Sequence, residues 1–554
     1  MKKYYILLIA ALAALGCDTL DTMTDIYTTQ YHLDNQASSV IQVGYAPYGY
    51  LVNGFSELDN NIAAAKSDEA AMTSLNTSVR YFNNGSWNAY NNPDNPYNNF
   101  YKGIRAANYY LDYSVEYKKM LAVARDTLSD SGTAYRRDVE NAAYLRAEAH
   151  VLKAYYYFEL LKRYGDVPLY KEVMTENIFL PKSSYAEVAG YAVGEIDSAL
   201  EDLAPNWNAN VSYAGRFDKG AAMALKSRIL LYAASPLNTE SFSADEKQAA
   251  WEDAAKAAAD VIALNTYSLS SDYESLFKGN TSSNKEIIMA RRSSANNTLE
   301  KANYPIGTAG GNSGLTPSGN LVDAYEYIAA PDPANPFAGR DPRLGFTIAT
   351  HGSEWNGRTI DISEGGSDSY HATNASRTGY YLKKYLTDNL VLSQNQTAMH
   401  HWIYFRYAEI LLNFAEAANE AYGPDQVDAT AGISAREALD MVRGRTSVGL
   451  PPVDLSKFDG SSDKERMRAA VKAERRVELA FEDHRYWDLL RWKDGDQLGK
   501  EITGIKAVKI SEGVYSFEKT KVEDRVFESK MYRYPIPFQE ISKSKGVLVQ
   551  NIGW

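Results

Sequence analysis

Apolar residues recur three and four positions apart through much of the chain. In YKGIRAANYYLDY (101–113), Ile104, Ala107, Tyr110 and Leu111 fall on one helical face. In AAYLRAEAHVLKAYYYFELLKRYGD (142–166), Leu145, Ala149, Leu152, Tyr156 and Leu160 do the same. The stretch from Asn98 to Leu161 therefore predicts helices, with Gly165 and Pro168 as the stop. The same texture returns in YAEVAGYAVGEIDSALEDLA, KGAAMALKSRILLYAASPL, WEDAAKAAADVIAL, YFRYAEILLNFAEAANEAYG and ERRVELAFEDHRYWDLLRW. The expected fold is mainly α, a solenoid-like core of helical hairpins.

Alanines where helices would cross, with tyrosines between them, resemble tetratricopeptide units of degenerate spacing, interrupted by insertions. Between Leu264 and Thr397 the texture changes to Gly, Asn, Ser and aromatic residues, with short strand-like pieces such as EIIMA and GYYLKKYL. A long irregular insertion in an ordered body is usually functional or mobile, so the ligand is expected in this stretch, about 265–397. YFNNGSWNAYNNPDNPYNN (81–99) has the same character. No Pro/Gly/Ser spacer separates two bodies, and residues 18–554 are expected to form a single domain.

The N-terminus reads MKKYYILLIAALAALGC: two lysines, an apolar run from Tyr4 to Leu15, then the sole cysteine. That run falls short of the about 20 apolar residues a spanning helix needs. Residues 1–17 are read as a lipoprotein signal peptide, because Ala14-Leu15-Gly16-Cys17 resembles a bacterial lipobox, with Ala in the usual Leu place and Leu where a small residue is usual. Cys17 would become the lipidated first residue and tether the protein to a membrane. With no other cysteine, the core cannot depend on disulfides.

Composition narrows the partner. A net charge of −12 with no Lys/Arg block argues against a nucleic-acid groove. Tyrosine is in surplus, 42 residues against 17 Phe and 8 Trp, which suits flat, rigid surfaces that also form hydrogen bonds, as sugars and peptides require. Enzyme and cofactor motifs are thin: no HExxH, GxSxG or phosphate loop stands out. His400 and His401 lack an acidic third ligand at a fixed spacing, and NNPDNP lacks the EF-hand pattern. No metal or cofactor is expected.

Eight blocks in order carry a resemblance over nearly the whole chain: AEAHVLKAYYYFELLKRYGDVPL, GRFDKGAAMALKSRILLYAASPLN, NKEIIMA with TPSGNLVDAYE, DPRL, TGYYLKKYL, YFRYAEILLNFAEAANE, ERRVELAFEDHRYWDLLRW and YPIPFQEISKSKGVLVQNIGW. Together they resemble the SusD/RagB family of outer-membrane lipoproteins. The resemblance implies four tetratricopeptide-like hairpins, a lipid anchor at the cell surface, a bound nutrient glycan, and a lid role over a SusC-like, TonB-dependent transporter. ARRSSANNTLEKANYPIG (290–307) is similar to a fructan-binding branch, although one block does not identify a sugar.

Within ERRVELAFEDHRYWDLLRW, Glu474 and Glu478 lie one helical turn apart, and Arg485, Asp488 and Arg491 are spaced for i,i+3 ion pairs. A catalytic reading would pair Glu478, Glu482 or Asp488 with His484. Carboxylates matched with arginines make poor general acids, so the segment reads as a brace.

A sugar site needs an aromatic face against the C–H side of the ring and amide, carboxylate or guanidinium groups for the hydroxyls. Trp87 and Tyr90 in FNNGSWNAY, with Asn83, Asn84 and Asn88, supply both. Asp68 sits upstream, where the resemblance implies a polar loop near the ligand. Trp355, Tyr370 and Arg377 are spread through the insertion, Arg377 immediately before TGYYLKKYL. Tyr404 offers a second stacking face, and Asn296 and Tyr304 are weaker candidates. For each of these the competing role is structural: a core aromatic, a helix cap or a surface ion pair. Trp87→Ala is expected to weaken binding without unfolding the chain. The alternative function is RagB-like peptide binding, which would profit from an open strand edge. Exposure of Trp87 and Trp355 would favour the sugar, and burial of both would remove that preference.

Overall fold

Helices α1 (Ala37–Tyr45), α2 (Tyr97–Tyr113), α3 (Thr133–Tyr164), α4 (Tyr185–Ala199), α5 (Lys219–Ala234), α6 (Ala244–Ala263), α7 (Tyr407–Tyr422), α8 (Ala435–Arg443), α9 (Asp463–Glu478) and α10 (Arg485–Arg491) build the framework. They belong to a computed structural model that describes residues 30–554 apart from 129–131, 175–177, 209, 211 and 280–283. Cys17 and the leader before it lie outside the described residues.

Local chemistry sets the ends. Ser184, Asp218, Ser243, Ser434 and Ser462 each accept a hydrogen bond from a backbone N–H of the first turn of α4, α5, α6, α8 and α9, and Ser243 and Ser434 complete capping boxes with Glu246 and Glu437. Gly165, at φ +72°, stops α3. The faces expected to be apolar on α2 and α3 are buried. From α2 to α8 each helix packs on the next, and α9 returns against α7, so the array is a mainly α scaffold.

Six strands matter for the site: β1 (Ala70–Met72), β2 (Ile287–Arg292), β3 (Leu315–Pro317), β4 (His401–Arg406), β5 (Ile502–Ser511) and β6 (Val514–Glu523). All pair antiparallel, β1 with β3 (Ala71 opposite Thr316), β4 with β2 (Trp402 opposite Arg291), and β5 with β6 as a hairpin. Residues 264–406 separate α6 from α7, which nevertheless pack together. The β2/β4 ladder closes this insertion near its ends. The insertion is not merely a loop reservoir: Tyr304, Leu321, Tyr325, Ile348, Tyr381, Leu382 and Tyr385 are core residues.

Charge pairs fasten the insertion to α9. Glu478 accepts from Arg343 Nη1 at 2.8 Å, Arg406 Nη1 at 2.7 Å and Arg445 Nη2 at 2.8 Å. Arg406 also reaches Glu286 at 2.9 Å and Glu482 at 2.7 Å, and Lys384 meets Glu482 at 2.8 Å. Arg343 binds Glu474 and Asp341, and Arg443 binds Glu474. Five buried carboxylates therefore face five cations, with Arg443 also reaching the part-exposed Glu326 at 2.7 Å, and the buried part of the cluster carries no net charge into the core. Burial alone would raise Glu478, but Arg445, Arg406 and Arg343 hold its carboxyl well below the usual carboxylate range.

The neighbouring pairs follow the same logic. Arg475 joins Asp488 at 2.9 Å and Asn413 at 2.8 Å, while Arg491 joins Asp488 at 2.8 Å, the expected i,i+3 pair, and Glu416 at 2.6 Å. Most partners of the segment lie far away in sequence, where pairs within it were expected. Glu478, Glu482, His484 and Asp488 are all buried, and burial holds the His484 imidazole well below its ordinary pKa. The segment is a brace, with no acid–base pair open to a substrate.

Glu69 is a buried carboxyl of another kind. It accepts from Phe481 N at 3.2 Å, and burial pushes its pKa up to about 8. The fold thus keeps a proton that the unfolded chain releases near pH 4.5. The stability linked to that proton is present in full below the unfolded pKa and is lost as pH rises through the folded one. Glu69→Gln mimics the protonated acid. In urea unfolding it should flatten the fall in stability between pH 5 and pH 8 and stabilise the protein at pH 8 by on the order of 1–3 kcal/mol. A variant less stable than wild type at pH 8 would show that the ionised acid is the form the fold needs.

Candidate functional site

Two glycines shape the surface around Arg377. Gly379 has φ +79°, and a Cβ there would lie 2.2 Å from Ile505 O; a Cβ on Gly504 would lie 2.5 Å from Thr378 O. Only glycine permits this approach, and Ile505 N donates to Thr378 O at 2.8 Å across it. Ser376 Oγ accepts from Thr378 N at 3.2 Å and Gly379 N at 3.0 Å, which tightens the turn. The loop before TGYY is thereby pressed onto β5.

Arg377 projects from that turn, half-buried. Its Nη1 donates to Met72 O at 3.1 Å and Glu523 Oε2 at 3.0 Å, and its Nη2 donates to Val522 O at 3.1 Å. It therefore ties the end of β1 to the end of β6. Asn83 Nδ2 meets the same Glu523 at 3.4 Å, and Asn83 Oδ1 is buried without a hydrogen-bond partner. Tyr81, two residues earlier on the same short helix, turns outward and is 41% exposed, while Phe82 packs inward. On the other side Tyr370 is 38% exposed, against His371 at 4.0 Å and beneath the Lys506 ammonium of β5 at 4.8 Å. Arg377, Glu523 and Asn83 thus meet at the junction of β1, β6 and the 370–379 loop, and the exposed rings of Tyr81 and Tyr370 lie on the segments that lead into it.

Most of the sequence candidates serve elsewhere. Asp68 is buried and bound by Arg476 at 2.8 Å and Arg485 at 2.8 Å; against the effect of burial, those two arginines hold its pKa down to about 2. Trp87 is 2% exposed and packs on Phe82, Tyr534 and Trp554 with ring centroids 4.5, 5.0 and 4.6 Å away. Tyr304 is fully buried against Trp355, and its hydroxyl donates to Thr387 O. Trp355 is 5% exposed, donates from Nε1 to Asp388 at 2.7 Å, and shows only part of its surface in the wall of a 280 Å³ cavity. Tyr404 is buried, with its hydroxyl on Val52 O at 2.5 Å. Asn296 caps a turn: its Oδ1 accepts from Thr298 N at 3.0 Å, and its backbone pairs with Ala398. Of the aromatic candidates, Tyr90 and Tyr370 present open rings, Tyr90 76% exposed and stacked on Phe538 at 4.3 Å.

These placements correct the aromatic platform expected from Trp87 and Trp355. Both tryptophans are core residues because their partners, remote in sequence, close over them. The preference for a sugar that rested on their exposure falls with them. Sequence reading passes over Tyr81 and Glu523. The alternation Tyr81 out, Phe82 in was the available signal for the first; nothing local marks the second. His400 and His401 diverge as well, His400 to Glu300 at 2.8 Å and His401 to the carbonyls of Leu276 and Gly279.

With this geometry in hand, comparison defines the class. A family model described as "SusD family" matches residues 274–554, and a second, "Starch-binding associating with outer membrane", matches residues 20–231. The first spans just over half of the chain, which therefore belongs to the SusD family. SusD-like protein P38 of Formosa agariphila is 26% identical over 387 residues, covering 66% of this chain and 69% of that one. A crystal structure of a SusD-like protein from Bacteroides fragilis superposes with TM-score 0.74 at 27% identity, over 97% of this chain and 99% of the other. A second from the same species, a SusD-like carbohydrate binding protein, gives TM-score 0.73 at 25% identity, over 93% and 100%. A laminarin binding SusD-like protein shares the fold at TM-score 0.62 and 21% identity, over 94% and 100%.

Trp87→Ala is accordingly expected to act on folding. Removal of a buried tryptophan should cost about 3–5 kcal/mol in denaturant unfolding. A Trp87→Ala protein of wild-type stability with weakened ligand binding would restore the platform reading.

Proposed function

We propose that this protein binds a nutrient polysaccharide or oligosaccharide at the outer membrane and passes it, intact, to a SusC-like TonB-dependent transporter. The observation that carries the reading is the match over 93% of the chain, at 25% identity, to a protein described as carbohydrate binding. The surface around Arg377 suits that ligand. Tyr81 and Tyr370 offer ring faces to C–H groups, and Arg377, Asn83 and Glu523 offer donors and acceptors to hydroxyls. Each such contact replaces one to water, so affinity should be modest.

In this reading Cys17 carries the lipid, and that anchor holds the protein at the cell surface. Transporter and anchor rest on family resemblance and on the N-terminal sequence. Fructan rests on one sequence block. The peptide reading keeps one supporting feature: β6 pairs only with β5 among the described residues, so its outer edge can accept an extended chain, whereas the 376–379 turn covers the start of β5.

The test is isothermal titration calorimetry of the chain from Asp18 onward, with fructans, α-glucans, laminarin, xylans, mannans and host glycans in the panel and a peptide digest as control. Saturable heat from a polysaccharide is expected. Tyr81→Ala should weaken it about fivefold or more with an unchanged melting temperature, and Arg377→Ala should weaken it further. Heat from peptides alone would move the protein to the peptide reading.

A further inference from the structure

The charges beneath Arg377 do not balance as those of the brace do. Glu523 is shared by two guanidiniums, Arg377 at 3.0 Å and Arg525 at 2.6 Å. Asp68 is likewise shared by Arg476 and Arg485, each at 2.8 Å. Arg525 joins the two groups: its Nη1 donates to Ala65 O and Ser67 O and its Nη2 to Ala70 O, so it holds the segment that carries Asp68 and leads into β1. The neighbouring carboxyl, Glu69, has its pKa pushed up to about 8 by burial and is protonated at neutral pH. Four guanidiniums therefore face two carboxylates.

Burial lowers the pKa of Arg476 and Arg525 by more than Asp68 and Glu523 restore, and the neighbouring Arg485 and Arg377 add to the lowering. In the brace the carboxylates prevail over burial, and Arg343 and Arg406 are raised. The surplus reaches the surface. Arg377 keeps 24% of its side chain exposed. Arg80 opens the short helix that ends on Asn83, whose amide meets Glu523. It is exposed, donates to Leu75 O at 3.4 Å, and pairs with no carboxylate among the described residues. Lys506 follows Ile505, whose N–H bonds Thr378 O beside Arg377. Its ammonium lies 4.8 Å over the Tyr370 ring and is likewise without a carboxylate partner among the described residues.

A neutral sugar leaves this excess charge to water and counter-ions, whereas an acidic one supplies it with a fixed partner. The rest of the chain acts as a filter: with a net charge of −12 it repels polyanions, so an acidic chain is drawn to the one place where cations exceed carboxylates. We propose that the Arg377 surface selects an anionic saccharide, one that bears carboxylate or sulfate groups, with Arg377, Arg80 and Lys506 as the cations that meet it. The planar fork of a guanidinium suits either group. The saccharide rests on the glycan reading above; the anionic charge rests on the excess of guanidiniums over carboxylates.

The test is calorimetry on the chain from Asp18 onward, in about 50 mM and about 500 mM NaCl, with polygalacturonate, carrageenan, inulin, laminarin and poly-glutamate. Wild type is compared with Arg80→Gln and Lys506→Gln, which leave the buried ion pairs untouched. An acidic polysaccharide should bind at least about tenfold more tightly than either neutral one and lose about tenfold in the higher salt. Each variant should weaken it about threefold, and the two together about tenfold, with an unchanged melting temperature. Heat from polygalacturonate, from carrageenan or from both supports the proposal and tells carboxylate from sulfate. Binding of a neutral polysaccharide that salt and both variants leave unchanged would overturn the anionic selection and keep the glycan reading. Equal binding of poly-glutamate would keep the anion site and overturn the saccharide. Absence of heat from every probe would overturn both.

Discussion

The fold depends on a neutral cluster of charges sealed beneath the surface. Glu474 and Glu478 on α9 stand opposite Arg343 and Arg406 of the long insertion, Arg443 at the end of α8 and Arg445 just after it. In water each such pair would contribute little. In the core the desolvation of every ion is already spent, and loss of one partner leaves an uncompensated charge worth about 3–5 kcal/mol. The cluster therefore acts as a registration device: only one placement of the insertion over the helical array satisfies all of its members. A second set built on Lys66, which sits 4.6 Å over Trp487 and pairs with Glu57 and Asp94, ties α10 to the N-terminal part in the same way.

That placement assembles the surface proposed to bind the ligand. β1, the 370–379 loop and the β5/β6 hairpin come from three distant parts of the chain, and Arg377 joins all of them. Asp68, next to β1, is held by Arg476 and Arg485 on either side of the α9–α10 turn. The brace and the surface are thus one structure.

The helical part was legible in the sequence because its signals are local. The faces of α2 and α3 recur every three to four residues, and Gly165 marks a stop that any reader of helix ends would place there. The proposed site was legible only in part. Arg377 was singled out through the adjoining TGYY block, and Tyr90, singled out through its loop, is exposed. Trp87 and Trp355 misled, because an aromatic among Asn and Gly looks like a platform until its remote neighbours, Tyr534 and Trp554 for one and Tyr304 for the other, are known. Burial of a loop aromatic is a long-range property. The partners of Glu478 are equally non-local: ion pairs inside ERRVELAF were the natural expectation, and the arginines that matter are 33 to 135 residues away.

The most direct test of this account is a double-mutant cycle on stability between Glu478 and Arg445, with Glu478→Gln and Arg445→Met measured singly and together by urea unfolding. The account predicts a large cost for each single change and a coupling energy of about 1–3 kcal/mol, so that the double variant is more stable than the sum of the singles implies. Additive effects, with a coupling near zero, would contradict the claim that this buried charge cluster sets the register of the insertion on the helical scaffold.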